Sequence, residues 1–123
     1  MEIEIIDAEL SICKVMDYSQ ANLNEDFCFT GKTNEENSLV CKTSSVPPNV
    51  IARDDDWRAF RIKGELDFSL TGILSRISSI LAENKIGIFA VSTYNTDYIL
   101  TKAKNFNAAI NALRDNGYTI NQN

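Results

Sequence analysis

The hydrophobic period of the chain changes several times between residues 57 and 120, and these changes restrict the possible folds more than any other feature. Residues 57–63 alternate as in a strand, with one face formed by Arg58, Phe60 and Ile62. Residues 69–84 then follow a helical period, with an apolar stripe formed by Ile73, Ile77, Ile80 and Leu81. A strand followed directly by an amphipathic helix indicates a helix packed on a sheet.

The pattern then repeats towards the C-terminus. Residues 86–94 and 98–101 are β-branched and aromatic and flank a turn at 94–97, which predicts a hairpin. Asn105 is the expected N-cap of a second helix, whose stripe is Phe106, Ala109, Ile110 and Leu113. Gly117 ends that helix, and residues 118–120 form a last strand. The order β-α-β-β-α-β predicts an α+β, ferredoxin-like domain with both helices on one face of an antiparallel sheet.

The first half of the chain contains short strand signals without a clear helix. A brief apolar run ends at Val15, and residues 27–30 and 38–41 flank a polar stretch suited to a hairpin loop. Asp54, Asp55 and Asp56 are interpreted as an exposed turn. We therefore predict two units, residues 1–56 and residues 57–123.

Charge and composition exclude several functions. The net charge is −5 and the Lys and Arg residues are dispersed, which argues against nucleic acid as a partner. No apolar run approaches the ~18 residues of a membrane span, and no signal peptide is visible, so a cytoplasmic location and no membrane partner are expected. The chain lacks histidine, and its three cysteines have no metal-ligand spacing. We predict no catalytic residues, no metal site and no cofactor.

Gly72 is the most informative position for function. Inside the predicted helix it would cost about 1 kcal/mol relative to alanine, so a close approach of backbone or ligand is the expected reason for it. The loop before it would present amide groups at a helix N-terminus, where an anion such as a carboxylate is stabilised. The alternative is that Gly72 only permits tight packing of the helix and that Ser69 only caps it.

The predicted fold serves unrelated functions, so the site must distinguish them. An acylphosphatase-like enzyme needs an arginine in the loop after the first strand, and this loop has none. An RNA-recognition domain needs aromatic residues in basic surroundings, which the acidic composition disfavours. A regulatory small-molecule domain needs only a loop, a glycine and a neighbouring strand, and these are present.

Two segments, residues 66–86 and 91–100, resemble the ACT-domain family. The first combines an acidic residue, a glycine and an apolar helix. The second is similar to the strand-turn-strand of tandem ACT proteins, which include cytosolic arginine sensors and aspartokinase regulatory domains. Residues 8–43 resemble a shortened first ACT unit. The resemblance thus implies an ACT domain preceded by a shortened, β-rich ACT-like unit.

The resemblance also implies an amino-acid ligand held between facing ACT units. Gly72 and Ile73 would offer backbone groups to its carboxylate, Thr93 and Tyr94 would contact its stem, and Asp97 would bind its ammonium or a basic side chain. The complete implied set is Ser69, Leu70, Thr71, Gly72, Ile73, Thr93, Tyr94 and Asp97. Leu70 replaces an acidic residue of the arginine sensors, so the resemblance does not extend to arginine specificity.

The mode of action implied is regulatory and allosteric. A small core and uncovered sheet edges predict a homodimer, in which ligand binding would be linked to assembly. A regulated enzyme or signalling protein would then be a separate chain. A dimerisation or protein-interaction module without ligand is the alternative, and a small enzyme is disfavoured because no nucleophile-base pair is visible.

Overall fold

The computed structural model describes residues 1–63 and 72–122. The elements of these residues, in chain order, are β1 (Glu2–Val15), β2 (Phe29–Lys32), β3 (Asn37–Lys42), a 3₁₀ turn (Thr43–Ser45), β4 (Val50–Ile62), α1 (Ile73–Glu83), β5 (Phe89–Ser92), β6 (Asp97–Lys102), α2 (Ala103–Asp115) and β7 (Thr119–Gln122). They form two compact units. The helical unit contains Met1–Asp7 and the chain from Arg58 onward, and the strand unit contains Ala8–Trp57.

The helical unit has the strand order β7-β1-β4-β6-β5. β5 and β6 form the predicted antiparallel hairpin, with Ser92 paired to Asp97. The N-terminal half of β1 lies between β4 and β7. It pairs parallel to β7, with Glu2 opposite Thr119, and the Lys63 amide donates to the Glu2 carbonyl at 2.9 Å. The unit therefore has the predicted βαββαβ elements in sequence, with one additional strand inserted beside the first.

The core of the helical unit lies between the sheet and the two helices. Phe60 and Ile62 are fully buried on the face that the alternation predicted. Phe60 lies against Phe106 of α2, with ring centroids 6.4 Å apart. The predicted stripes of both helices supply the rest of the core, including Ile77, Ile80, Leu81, Phe106, Ala109, Ile110 and Leu113. Burial of these side chains holds the helices on the sheet.

Both helices end with a residue in the left-handed conformation. After α2, Gly117 has φ 93°, and the Tyr118 amide donates to the Leu113 carbonyl at 3.1 Å, as predicted for this glycine. After α1, Lys85 takes the same role with φ 60°, and the Ile86 amide donates to the Leu81 carbonyl at 2.9 Å. The first helix thus ends on a residue type that disfavours this conformation.

The strand unit has the order β2-β3-β1-β4. The predicted hairpin is present, and its loop is closed by the Thr33 amide donating to the Glu36 carbonyl at 3.0 Å. β1 is antiparallel to β3, and the Met16 amide donates to the Asn49 carbonyl at 3.2 Å, as expected for antiparallel β1 and β4. A small apolar cluster is formed by Cys13, Val15, Leu39 and Cys41.

Several local predictions are corrected. The brief run ending at Val15 is the end of a 14-residue strand, because Glu2–Leu10 also pair in the sheet. Asp54, Asp55 and Asp56 are not a turn but part of β4, where Asp55 accepts a hydrogen bond from the Ser11 hydroxyl at 2.6 Å. A long-range partner of this kind stabilises a strand that local composition disfavours.

The starts of both helices also differ from the prediction. Lys102, and not Asn105, is the N-cap residue of α2, because the chain passes from β6 into the helix without a loop. α1 begins at Ile73 with Gly72 as its N-cap, so Gly72 precedes the helix instead of lying inside it. Ser69, the predicted cap, lies outside the described residues. The division into residues 1–56 and 57–123 stays a prediction about domains.

Candidate functional site

Of the predicted loop residues, Gly72 and Ile73 are described, whereas Ser69, Leu70 and Thr71 lie outside the described residues. Gly72 has φ 79° and ψ −2°, which is the left-handed region. This conformation explains the glycine, since a side chain there is strained. A Cβ atom on Gly72 would meet no heavy atom of the described residues within 4 Å, so close packing against them does not explain the glycine. The position is open.

The N-terminus of α1 presents amide groups without partners inside the helix. The Arg76 amide donates to the Gly72 carbonyl at 2.9 Å and makes the first helical hydrogen bond. The amides of Ile73, Leu74 and Ser75 therefore have no acceptor within the helix, and no side chain of the described residues caps them. The positive end of the helix dipole adds to the attraction for an anion.

These amides lie beside a cavity of about 330 Å³ in the helical unit. Its lining consists of Met1, Gly72, Ile73, Arg76, Asn116, Gly117 and Tyr118. We call it the α1 pocket. The pocket joins the start of α1 to the end of α2, which the left-handed Gly117 turns towards β7. A volume of this size is at the lower end for small-molecule sites.

Arg76 is a candidate site residue that the sequence interpretation missed. Its guanidinium carbon lies 5.9 Å from the centroid of the Tyr118 ring, and Tyr118 is itself buried. The helical period predicts that Arg76 points away from the core, and the Arg76 side chain is indeed exposed. Helical side chains point back towards the N-terminus, however, so a residue in the first turn reaches the groups at the helix start. The position of Arg76, four residues after Gly72, was the feature of the sequence that could have identified it as a site residue.

The predicted hairpin residues are not part of this lining. Thr93 and Tyr94 lie in the exposed loop between β5 and β6, and Tyr94 is 75% exposed. Asp97 is the first residue of β6, and its carboxylate accepts a hydrogen bond from the Ser92 hydroxyl at 2.6 Å. The structure thus brings Gly72 and Ile73 together in the α1 pocket and places Thr93, Tyr94 and Asp97 on the hairpin outside it.

The hairpin and the α1 pocket nevertheless lie at the same end of the helical unit. The Thr96 hydroxyl in the hairpin loop donates to the carbonyl of Ile62, the last residue of β4, at 2.8 Å. The Lys63 amide next to it pairs with Glu2, which adjoins Met1 in the pocket. The hairpin loop and the α1 pocket therefore both lie near the C-terminal end of β4.

The charges of the α1 pocket favour an anion. Arg76 is its charged side chain, and no Asp or Glu is among the described residues that line it. A guanidinium and helix N-terminal amides together can hold a carboxylate by charge-assisted hydrogen bonds. The described lining of the pocket therefore offers a cationic side chain to an anion and no carboxylate to a cation.

Other chemistries find little support in the described part of the chain. Within it, no group of His, Cys, Asp and Glu residues could hold a metal ion. Burial raises the pKa of the Cys41 thiol to about 12, with the neighbouring Cys13 adding to the effect, and burial likewise raises the pKa of Cys13 and Cys28. These thiols are protonated at neutral pH, as expected of packing residues. Among the described helices, none is long and apolar enough to cross a membrane.

The helical unit is thus a βαββαβ domain in which an open, left-handed glycine precedes the first helix. The family model for the ACT domain matches residues 52–115, just over half of the chain. The chain belongs to the ACT-domain family. The resemblance inferred from residues 66–86 and 91–100 is thereby confirmed.

Solved structures agree on the fold. Protein Atu0741 of Agrobacterium tumefaciens has 27% identity and a TM-score of 0.84, with 99% of this chain and 92% of that chain covered. VC0802 of Vibrio cholerae, a protein of unknown function described as a possible transport protein, has 17% identity and a TM-score of 0.72 over 93% and 88% of the chains.

The ligand-free regulatory subunit of aspartate kinase from Thermus thermophilus has 10% identity and a TM-score of 0.63, over 94% and 97% of the chains. At this identity the likeness concerns the fold alone, and it confirms the predicted similarity to aspartokinase regulatory domains at that level. A comparison with curated protein sequences gives no significant match.

Proposed function

We propose that this protein is a regulatory sensor that binds a free amino acid at an interface between ACT units, with the ligand carboxylate in the α1 pocket. The observation that carries the proposal is the combination of the open, left-handed Gly72, the amides at the start of α1 and the Arg76 guanidinium around one cavity. A carboxylate there would complete the hydrogen bonds of the helix N-terminus.

The ammonium group of the ligand requires a negatively charged partner, and no carboxylate is among the described lining residues of the α1 pocket. Asp97 is a suitable candidate, because its half-exposed carboxylate lies on the hairpin at the same end of the unit and outside the pocket. In the proposed homodimer, Asp97 of a second copy would face the pocket, with Thr93 and Tyr94 beside the ligand. Ser69, Leu70 and Thr71 remain part of the proposed site.

The strand unit supports the idea of paired ACT units, because it resembles a reduced ACT domain. Its strand order β2-β3-β1-β4 is the order of a ferredoxin-like sheet. The hairpins of the two units lie 60 residues apart in sequence, with Phe29 corresponding to Phe89 and Lys42 to Lys102. β3 and β6 have the same burial pattern, and the backbone angles of Lys42 and Lys102 agree within a few degrees.

A dimerisation module without ligand is the second candidate, and it would need Gly72 as a packing device. The open space around Gly72 disfavours that role in this chain. Under the sensor proposal, a regulated enzyme or signalling protein would be a separate chain.

A thermal-shift screen against the twenty amino acids tests the proposal. A ligand at a hundred times its Kd stabilises the folded state by about 2.7 kcal/mol, which such a screen detects readily. Arg76→Gln should weaken binding of the hit roughly ten- to a hundredfold, the range expected for a lost charge-assisted contact. Asp97→Ala should do the same and should also reduce ligand-linked dimerisation in sedimentation experiments.

Gly72→Asn is the sharpest variant, because asparagine tolerates the left-handed conformation better than other side chains while it fills the pocket mouth. Gly87→Ala is the matched control, since Gly87 has open space and lies outside the pocket lining. If no amino acid binds, or if Gly72→Asn and Arg76→Gln both bind as wild type does, the site is wrong. The dimerisation module then becomes the better explanation.

A further inference from the structure

A second cavity lies in the helical unit between α2 and the strands, and it is distinct from the α1 pocket. Its volume is about 300 Å³, and its lining includes Arg58, Phe106, Asn107, Asn111, Arg114 and Gln122. We call it the α2 groove. Among the described residues, none lines both this groove and the α1 pocket. Gln122 is the last residue of β7 and pairs with Ile5, and Arg58 lies four residues before the end of β4, so both are several residues along the strands from Met1 and Lys63.

The α2 groove is rich in hydrogen-bond donors. Along one flank of α2, Asn107, Asn111 and Arg114 are spaced by four and three residues, so they form a continuous polar row. The Arg114 Nη1 donates to Asn111 Oδ1 at 2.9 Å, which directs the amide nitrogen of Asn111 to other acceptors. Neither Asp nor Glu is among the described lining residues.

Neither arginine of the α2 groove is neutralised by a carboxylate of the described residues. Arg53 pairs with Asp55 and Arg61 pairs with Glu4, whereas neither Arg58 nor Arg114 forms an ion pair with any described residue. The chain has a net charge of −5 and 17 acidic residues, so two arginines without a carboxylate partner in the same groove are unexpected. An arginine that no protein carboxylate neutralises can bind an external anion.

The position of Arg58 strengthens this argument. Its side chain is half-buried, and its guanidinium carbon lies 4.8 Å from the centroid of the Phe106 ring. The Nε atom is buried and has no hydrogen-bond partner in the described part of the chain. A stacked guanidinium keeps its edge available for a planar or tetrahedral oxyanion. A buried donor without a partner lowers stability, and an acceptor oxygen bound at Nε would remove that cost.

We propose that the α2 groove binds a compact dianionic metabolite, whose phosphate group or paired carboxylates contact Arg58 and Arg114. The amides of Asn107, Asn111 and Gln122 donate to the remaining acceptor oxygens, and Phe106 and its apolar neighbours Ile5 and Ile110 contact a short carbon skeleton. The small volume excludes a large ligand. The protein then carries a second effector site beside the proposed amino-acid site.

Titration of the full chain with inorganic phosphate, succinate and acetate, at low salt and in a buffer free of other polyanions, tests the proposal. Calorimetry should detect binding of phosphate or succinate in the millimolar range or tighter, and acetate should bind at least tenfold more weakly because it carries one charge. Binding of phosphate alone identifies a phosphoryl ligand, and binding of succinate alone identifies a dicarboxylate. Failure of all three to bind would overturn the proposal.

Variants separate this site from the α1 pocket. Arg114→Gln, at an exposed position that leaves the fold intact, should weaken dianion binding about ten- to a hundredfold, and Arg58→Gln should act in the same direction. Arg76→Gln is the matched control and should leave dianion binding unchanged. Equal losses from Arg76→Gln and Arg114→Gln would place the anion in the α1 pocket and refute the inference. If amino-acid binding depends on Arg76 and not on Arg114, the proposed amino-acid site is supported whether or not the α2 groove binds a dianion.

Discussion

The hairpins β2–β3 and β5–β6 have the same length, register and loop, yet the chain continues differently after each. After β6 it enters the 13-residue helix α2, whereas after β3 it makes a three-residue 3₁₀ turn. Pro47 and Pro48 follow one residue after that turn, and proline lacks the amide that a helix needs. A hairpin is therefore specified by its own residues, but the helical layer depends on the segment after the hairpin.

The same difference separates the segments that precede the hairpins. α1 precedes β5, whereas residues 16–28 precede β2 without an α-helix. Tyr18, Ala21 and Cys28 of this segment pack on the small apolar cluster, and polar contacts add to their anchoring. The Tyr18 hydroxyl donates to the Ser38 carbonyl at 2.7 Å, and the Asn37 side chain donates to the Met16 carbonyl at 2.9 Å. The helical unit is thus stabilised mainly by apolar burial, and the strand unit relies more on hydrogen bonds.

Truncation of matched core residues is expected to give the largest effect. Ile99 and Leu39 occupy equivalent positions in β6 and β3, and both are fully buried. Each change to alanine should cost about 2–5 kcal/mol of unfolding free energy. Ile99→Ala should lie in the upper half of that range because rigid helices and strands surround it, and Leu39→Ala in the lower half because residues 16–28 can move into the space. Denaturant titration of both variants would decide, and equal losses would contradict the comparison.

Removal of one polar contact should cost less, and only in the strand unit. Tyr18→Phe deletes the hydroxyl that donates to Ser38 while it keeps the ring. The expected loss is about 0.5–1.5 kcal/mol, the usual net contribution of a hydrogen bond. Amide hydrogen exchange should accelerate in residues 16–28 and remain unchanged in α1. Faster exchange in both regions would mean that the two units do not differ in the way proposed.

The sequence predicted those parts that depend on local pattern. The period changes indicated both helices and both hairpins, and Gly117 indicated the end of α2. The insertion of the β1 N-terminal half beside β4 was not predicted, because strand pairing over some 60 residues leaves no periodic signal. Arg76 was missed because exposure by itself indicates a solvated face. Gly72 was noticed, but it was placed inside α1, whereas the structure shows it as the left-handed N-cap of that helix. The packing alternative is disfavoured, because a Cβ atom there would meet no described heavy atom within 4 Å.

A change at the end of α1 should stabilise the helical unit. Lys85 has φ 60°, where α2 has Gly117 with φ 93°. Lys85→Gly removes the conformational cost and should raise the unfolding free energy by about 0.5–1 kcal/mol. Gly117→Ala is the reciprocal variant, and it should lower stability by a similar amount because its Cβ would meet nothing within 4 Å and only backbone strain changes. Thermal denaturation would measure both, and a destabilised Lys85→Gly protein would refute the account.

Acid should affect the strand unit slightly and specifically. The Asp17 carboxylate accepts hydrogen bonds from the Ser19 hydroxyl and amide and from the Asn49 side chain. The Ser19 contacts lower the pKa of Asp17 below its ordinary value of 3.8. Because the folded-state pKa is the lower one, the contribution to stability is complete above the ordinary value and disappears as the pH falls through the lowered pKa.

Asp17 is fully exposed, so solvent screening keeps this contribution the smallest of those considered. Between pH 7 and about pH 5, amide exchange in residues 16–28 should therefore show no effect of Asp17 titration. Below about pH 4 the protection of these residues should fall in the wild type and less in Asp17→Asn, which cannot titrate. α1, which occupies the corresponding place in the helical unit, is held by Ile77, Ile80 and Leu81 and should show no loss tied to Asp17. An equal response of α1 and residues 16–28 would mean that acid acts on the whole fold rather than on the polar contacts that replace a helix.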